Sequence, residues 1–190
     1  MEYKNLIDTY LNEVQKIADM IDRVELYKFI EKIKLCKKQN GRLFVLGVGG
    51  SAANASHAVN DFRKILNVET YSVSENVSEL TARINDVGWK TCYSEWLKVS
   101  KLSAKDVLLV FSVGGGSDKT SQNLVEAMKY GNAAGSTIIS VVSRDGGIAK
   151  QISDVCVLIP VLHNDRITPH AEEFQGVVLH LVVNILSYEN

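Results

Sequence analysis

Apolar positions in the first forty residues recur at helical spacing. Tyr3, Ile7, Tyr10, Val14, Ile17 and Ile21 form one stripe, which predicts an amphipathic helix over residues 1–21. Leu26, Phe29, Ile30 and Ile33 form a second stripe over 24–38, which Asn40-Gly41 ends. From pattern alone these stripes fit two placements equally, against the chain's own sheet or in a helical subunit interface. Beyond residue 42 short apolar runs alternate with helical spacing. Strands are expected at 42–47, 69–73, 106–113, 137–142 and 155–161, the last closed by Pro160. Helices are expected at 51–66, 77–84, 89–99, 119–130 and 146–152, with Trp89, Tyr93, Trp96 and Leu97 as the apolar face of the third. Residues 85–88 read as a turn and 163–167 as a polar loop. Thr168 reads as the N-cap of a final helix, with Pro169 as its first residue. This order predicts an α/β sandwich of three layers, a five-stranded parallel sheet with helices on both faces. Ligands of such sheets bind beyond the carboxyl ends of the strands. No repeat, linker or low-complexity tract interrupts the pattern, so 1–190 is expected to be one domain.

Composition narrows the field. With 190 residues, 46% of them apolar, the chain can bury a sizeable core. A formal net charge of -1 gives no electrostatic reason to bind nucleic acid or a membrane. No signal peptide and no membrane-spanning run is visible, which points to the cytoplasm. Cys36, Cys92 and Cys156 are far apart, without a CxxC, and read as reduced, mostly core thiols.

Two glycine turns leave buried strands and open helices, one from Gly47 through Gly49 and Gly50 to Ser51, the other from Ser112 to Ser117. Two such turns, each with a serine at its helix start, suggest one phosphate or phosphosugar gripped from two sides. The first lacks the third glycine of a dinucleotide fingerprint and the lysine of a P-loop. A second group is His57 and Asp61, at i and i+4 on one helix, with Glu172, Glu173 and His180 on the last. Histidines and carboxylates from two helices suit either a divalent metal such as zinc or an acid–base pair. His163 and His170 are expected to be solvated.

The run Gly-x-Gly-Gly-Ser-Ala-Ala-x-Ala-x-His at 47–57 resembles the first motif of the SIS (sugar isomerase) domain of bacterial phosphoheptose isomerases. Further matches are Leu80-Thr81-Ala82 with Asn85-Asp86-x-Gly88, the 112–117 turn, Asp145-Gly146-Gly147, and 168–180. The resemblance implies a flavodoxin-like fold and a cytoplasmic homotetramer with active sites at subunit interfaces, which favours the interface role for residues 1–40. It implies a phosphorylated sugar as substrate and interconversion of sedoheptulose 7-phosphate and D-glycero-D-manno-heptose 7-phosphate through an enediol. Residue by residue, His57 matches a zinc ligand. Asp61 stands where the family has a catalytic, ligating glutamate, and His180 matches the catalytic histidine. Glu172 replaces a substrate-binding glutamine, so that His57, Asp61, Glu172 and His180 make an enriched set for zinc. Val48, Gly49, Gly50, Ser51, Asn85, Asp86, Ser112, Val113, Gly114 and Ser117 match substrate- or phosphate-binding positions. Val48 replaces an asparagine, and Val113 and Gly114 replace hydroxyl residues. Two other readings fit such departures: an isomerase of a different sugar phosphate, and a non-catalytic SIS protein that binds the replication initiator or senses sugar phosphates.

Overall fold

Alternate residues of the central strands are apolar on both sides, and this decides the architecture. In the computed structural model, which describes residues 2–188, five parallel strands form one sheet in the order β2-β1-β3-β4-β5. The strands are β1 (Leu43–Leu46), β2 (Thr70–Tyr71), β3 (Val107–Phe111), β4 (Thr137–Val142) and β5 (Val155–Leu158). Leu43 pairs with Val107, and Val107 with Thr137, so odd-numbered residues of β1, β3 and β4 share a face. Leu43, Val45, Val107, Leu109, Ile139 and Val141 pack with helices α2 (Arg23–Lys38), α3 (Gly50–Lys64) and α8 (Ile167–Ser187). Phe44, Leu46, Leu108, Val110, Ile138 and Val142 pack on the other face, against α5 (Cys92–Val99), α6 (Gln122–Ala133) and α7 (Gly147–Ile152). The expected three-layer α/β sandwich is borne out. Cys36 and Cys92 are buried, and burial pushes the Cys36 thiol up to about 11, as suits inert core thiols.

The sheet edges are short or covered. β2 has two residues, and the backbone N–H of Cys156 on β5 donates to Glu25 Oε2 of α2 at 3.1 Å.

Several boundaries differ from the sequence pattern. Residues 85–87 still belong to α4 (Val77–Val87), which ends where Gly88 takes φ 81°. α5 starts at Cys92 rather than 89, because residues 89–91 form a turn; Trp89 lies outside the helix and is 43% exposed. α6 starts at Gln122 rather than 119, because Ser117 Oγ accepts from the Lys119 and Thr120 N–H groups in a closed turn. Thr168 does not cap α8. A 3-10 turn at Asn164–Arg166 runs straight into the helix, leaving Thr168 as its second residue and Pro169 as its third. Proline is tolerated there because first-turn amides have no helical partner.

α1 (Glu2–Met20) obeys its stripe only in its second half. Ile17 is fully buried, whereas Tyr3 is 81% and Ile7 58% exposed, as are the neighbouring Leu6 and Leu11. What ties α1 to α8 is polar. His170 is buried rather than solvated, 3% exposed, because it stacks on Tyr10 with ring centroids 4.6 Å apart. Its Nε2 lies 3.0 Å from Glu13 Oε2 and its Nδ1 3.2 Å from Glu173 Oε2. Arg166 donates twice to Glu13, both at 2.6 Å, and the Tyr10 hydroxyl donates to Glu173. The Arg166 bonds, then that of His170, hold the Glu13 carboxyl down at about 2 from its ordinary 4.5.

The sign of that shift sets a prediction. Glu13 stabilises the fold fully above pH 4.5, and the contribution is lost as pH falls toward 2. Glu13→Gln should therefore lower Tm at neutral pH, and the gap to the wild type should narrow steadily between pH 4.5 and 2 in thermal melts. A gap independent of pH would refute the role of the carboxylate.

Candidate functional site

Three segments meet at the carboxyl edge of the sheet. The first starts with α3. Gly47 has no room for a side chain, since a Cβ there would lie 2.2 Å from the Ser51 carbonyl oxygen. The tight turn this allows continues through Gly49, the helix N-cap at φ 65°, so α3 begins one residue beyond the glycine. The Tyr93 hydroxyl anchors the turn by donating to the Gly47 carbonyl at 2.8 Å. Ser51 is buried in the first turn, Val48 is half-buried against the α5 side, and Gly49 and Gly50 are exposed.

Two turns into α3 the chemistry begins. His57 Nε2 lies 3.3 Å from Asp61 Oδ2, as i and i+4 positions allow. His180, from α8, brings its Nε2 to 3.0 Å from that of His57 and 3.5 Å from Asp61 Oδ2. The rings stand edge to face at 88°. Asp61 is one methylene shorter than the glutamate of the resembling family, yet it reaches both imidazoles. Asn60, which sequence reasoning passed over, donates to Asp61 Oδ1 at 2.9 Å and so turns Oδ2 toward the histidines. The Asp61 side chain is 10% exposed, those of His57 and His180 51% and 62%. Two imidazole nitrogens and a carboxylate oxygen, all within 4.8 Å of one another, are a zinc-type donor set. Donors of a tetrahedral zinc at about 2.0–2.1 Å lie roughly 3.3 Å apart, which matches the spacing seen.

Glu172, expected as a fourth ligand, is not in this group. Its carboxylate packs over Gly50, where a Cβ would meet Oε2 at 2.3 Å. The α8 backbone beside it is tied to α3, because Asn54 Nδ2 donates to the Glu172 carbonyl at 2.8 Å and to Gln175 Oε1 at 3.1 Å. Glu172 thus stands at the N-terminus of α3, a position that favours a carboxylate.

The second glycine turn is built into a third. Gly115 takes φ 69°, and a Cβ on it would lie 1.9 Å from the Gly146 carbonyl oxygen. The carbonyls of Gly115 and Gly116 accept from Ala149 and Ile148, capping the start of α7. Ser112 Oγ accepts from the Gly115 N–H at 3.1 Å, while Val113 and Gly114 are half-buried. Ser117 spends its hydroxyl on its own turn. The serine at the start of α6 is Ser121, left-handed at φ 51° and without a side-chain capping bond. Its sequence signal is a serine three residues before the apolar pair Leu124-Val125, whereas Ser117 directly follows the glycines. Asn85 and Asp86 are exposed at the end of α4, with Asn85 Nδ2 donating to Asp86 Oδ1. Among the described residues, no hydrogen bond or ion pair joins them to the histidines or the glycine turns. A groove of about 650 Å³, lined by Ile33, Lys34, Leu66 and Leu186, lies where α3 ends, away from this edge.

The family model of the SIS domain matches residues 9–143. The chain belongs to the SIS domain family. Among curated SIS relatives, it is 28% identical to the phosphoheptose isomerase of Syntrophotalea carbinolica over 96% of this chain and 93% of that protein. It is 28% identical to that of Clostridium acetobutylicum, over 95% and 84%. The structure of the phosphoheptose isomerase from Neisseria gonorrhoeae superposes with a TM-score of 0.83 at 23% identity, covering 98% of each chain. Among the described residues of this SIS chain, no helix is long and apolar enough to cross a membrane.

The interlock of the two glycine turns makes a prediction. Gly115→Ala meets the Gly146–Gly147 backbone in a left-handed conformation, so it should cost at least about 2 kcal/mol of stability, read as a lower urea midpoint. Gly49→Ala, with the same sign of φ but nothing within 4 Å of its Cβ, should cost less. Equal losses would mean that strain, not the clash, decides.

Proposed function

We propose that this SIS domain is an aldose–ketose isomerase of phosphorylated sugars, acting on sedoheptulose 7-phosphate to give D-glycero-D-manno-heptose 7-phosphate. The observation that carries the reading is the convergence of His57, Asp61 and His180 beside glycine turns suited to a phosphate. Curated relatives matched nearly end to end and named phosphoheptose isomerase support it.

Isomerisation removes a proton alpha to the carbonyl and returns it to the neighbouring carbon through an enediol, which needs two proton carriers and a stabilised oxyanion. Asp61 and His180 are the carriers, with Asn60 holding the carboxylate in aim, and tight ligation of either to a metal would compete with proton uptake at the same atom. His57, Asp61 and His180 are the residues to hold zinc, with Glu172 completing the shell if its side chain swings from Gly50. Bound there, the ion would supply Lewis-acid polarisation of the sugar carbonyl. Ser51, Ser112, Ser121 and the exposed glycine amides receive the phosphate, and Val48, Asn85, Asp86 and Glu172 contact the sugar. The loss of hydroxyls at Val113 and Gly114 favours a second substrate reading, a different sugar phosphate with the same reaction.

The whole chain is taken as one SIS domain, with residues 1–40 as an oligomer interface and the sites completed at subunit boundaries in a homotetramer. The exposed Tyr3, Leu6, Ile7 and Leu11 on α1 support this, since they form an apolar face that the described residues leave uncovered.

With sedoheptulose 7-phosphate as substrate, turnover should vanish after chelation and return with zinc, and metal analysis should find one ion per chain. His180→Gln should reduce turnover by more than about a hundredfold with an unchanged circular dichroism spectrum. Full activity in that variant would sink the assignment. For the assembly, replacing both Leu6 and Ile7 by Glu should lower the mass seen by light scattering. A mass unchanged in the double variant would remove α1 from the interface.

A further inference from the structure

One cation at the carboxyl edge is unused by the isomerase reading. Arg144 follows β4 with φ 57°, a conformation that non-glycine residues rarely adopt. Its turn is fixed on both sides. The Ser143 N–H donates to the Val113 carbonyl at 2.9 Å, and the Gly146 N–H to the Ser143 carbonyl at 3.0 Å. Gly146 in turn abuts Gly115, so Arg144 is carried on the same rigid unit as the second glycine turn. Arg144 is exposed, and among the described residues it forms no hydrogen bond, ion pair or ring contact. Its Cδ lies 3.8 Å from where a Cβ on Gly114 would sit, so the side chain runs alongside the turn.

That turn is short of side-chain donors. Ser112 Oγ accepts from the Gly115 N–H and has a single proton left to donate, Ser117 Oγ lies within its own turn, and Val113 and Gly114 have no hydroxyl. A phosphate monoester brings a charge of about -1.5 to -2 and three acceptor oxygens. A guanidinium answers both needs with parallel N–H donors. A strained backbone held by its surroundings is the kind of position where function sits.

We infer that Arg144 anchors the phosphate of the substrate, its guanidinium closing over the turn from Ser112 to Gly116 and replacing the missing hydroxyls. The inference rests on the phosphosugar reading of the site. It makes Arg144 a binding and specificity residue, selecting phosphorylated over neutral sugars and taking no part in proton transfer.

The test uses the full chain as Arg144→Gln and as Arg144→Asn, the second because asparagine accepts the left-handed backbone. Two readouts are taken: turnover of sedoheptulose 7-phosphate, and the rise in Tm with inorganic phosphate, which needs no turnover. Both variants should raise KM by about 10- to 100-fold with kcat within about threefold, and should lose the phosphate-induced Tm rise. Arg144→Lys should recover part of each, and Lys119→Gln, on the adjoining turn, should change neither. Unaltered KM and phosphate response in a folded Arg144 variant would overturn the inference. So would a loss that appears in Lys119→Gln instead, or a wild type whose Tm ignores phosphate. If the wild type responds to phosphate but does not turn over sedoheptulose 7-phosphate, the substrate assignment fails. Loss of the response in Arg144→Gln would still support the anchor.

Discussion

The closeness of α3 to α8 on one face of the sheet is the constraint on which the site depends. Ala55 and Ala58, both fully buried, present little bulk on α3, and Phe174, Val178 and Val182 of α8 join the same core cluster. Apolar packing of this kind fixes a distance but is indifferent to small rotations of a helix. The Asn54 amide removes that freedom by bonding the Glu172 carbonyl and the Gln175 side chain. With separation and rotation both set, the donor atoms of His57, Asp61 and His180 come within 4.8 Å of one another.

The architecture was legible because the strands are apolar on both faces and short, and the intervening segments carry helical periodicity. His57 and Asp61 were legible for a simpler reason, being four apart on one helix. His180 depended on the resemblance, since spacing within α8 fits a buried histidine equally well. What the sequence concealed lies where long-range polar contacts override local rules. Thr168 has the chemistry of a cap, but Arg166 is pinned to Glu13, 153 residues away in sequence, and the helix starts early. His170 looks like a surface residue at a helix start until Tyr10 covers it. Ser117 and Ser121 are equally good serines on paper; a closed four-residue turn consumes the first and leaves the second at the helix. Glu172 points to Gly50 rather than to the histidines because a glycine there leaves room for its carboxylate.

Polar and apolar forces are divided unequally along α1. Its second half is held by the core through Ile17 and Ile21. Midway, Glu13 and Tyr10 fasten it to the start of α8 by charge and ring stacking. Among the described residues, the first two turns have neither kind of tether. The network around His170 therefore sits at the boundary between the part of α1 that belongs to the fold and the part that faces outward. Because the same network grips the first turns of α8, the helix that carries His180 shares its footing with the outward-facing segment.

Glu25 has a consequence for how the molecule behaves in a crowded solution. Parallel sheets that end in a free strand invite a foreign chain to add itself to the row of unsatisfied amides, and from there to grow into fibrous aggregates. On the β5 flank the Glu25 carboxylate already accepts the N–H of Cys156, and it brings a negative charge to a place where an incoming strand would have to shed water. The opposite flank is too short to template anything. Glu25 thus occupies one of the amides that an added strand would need, on the flank that α2 also covers.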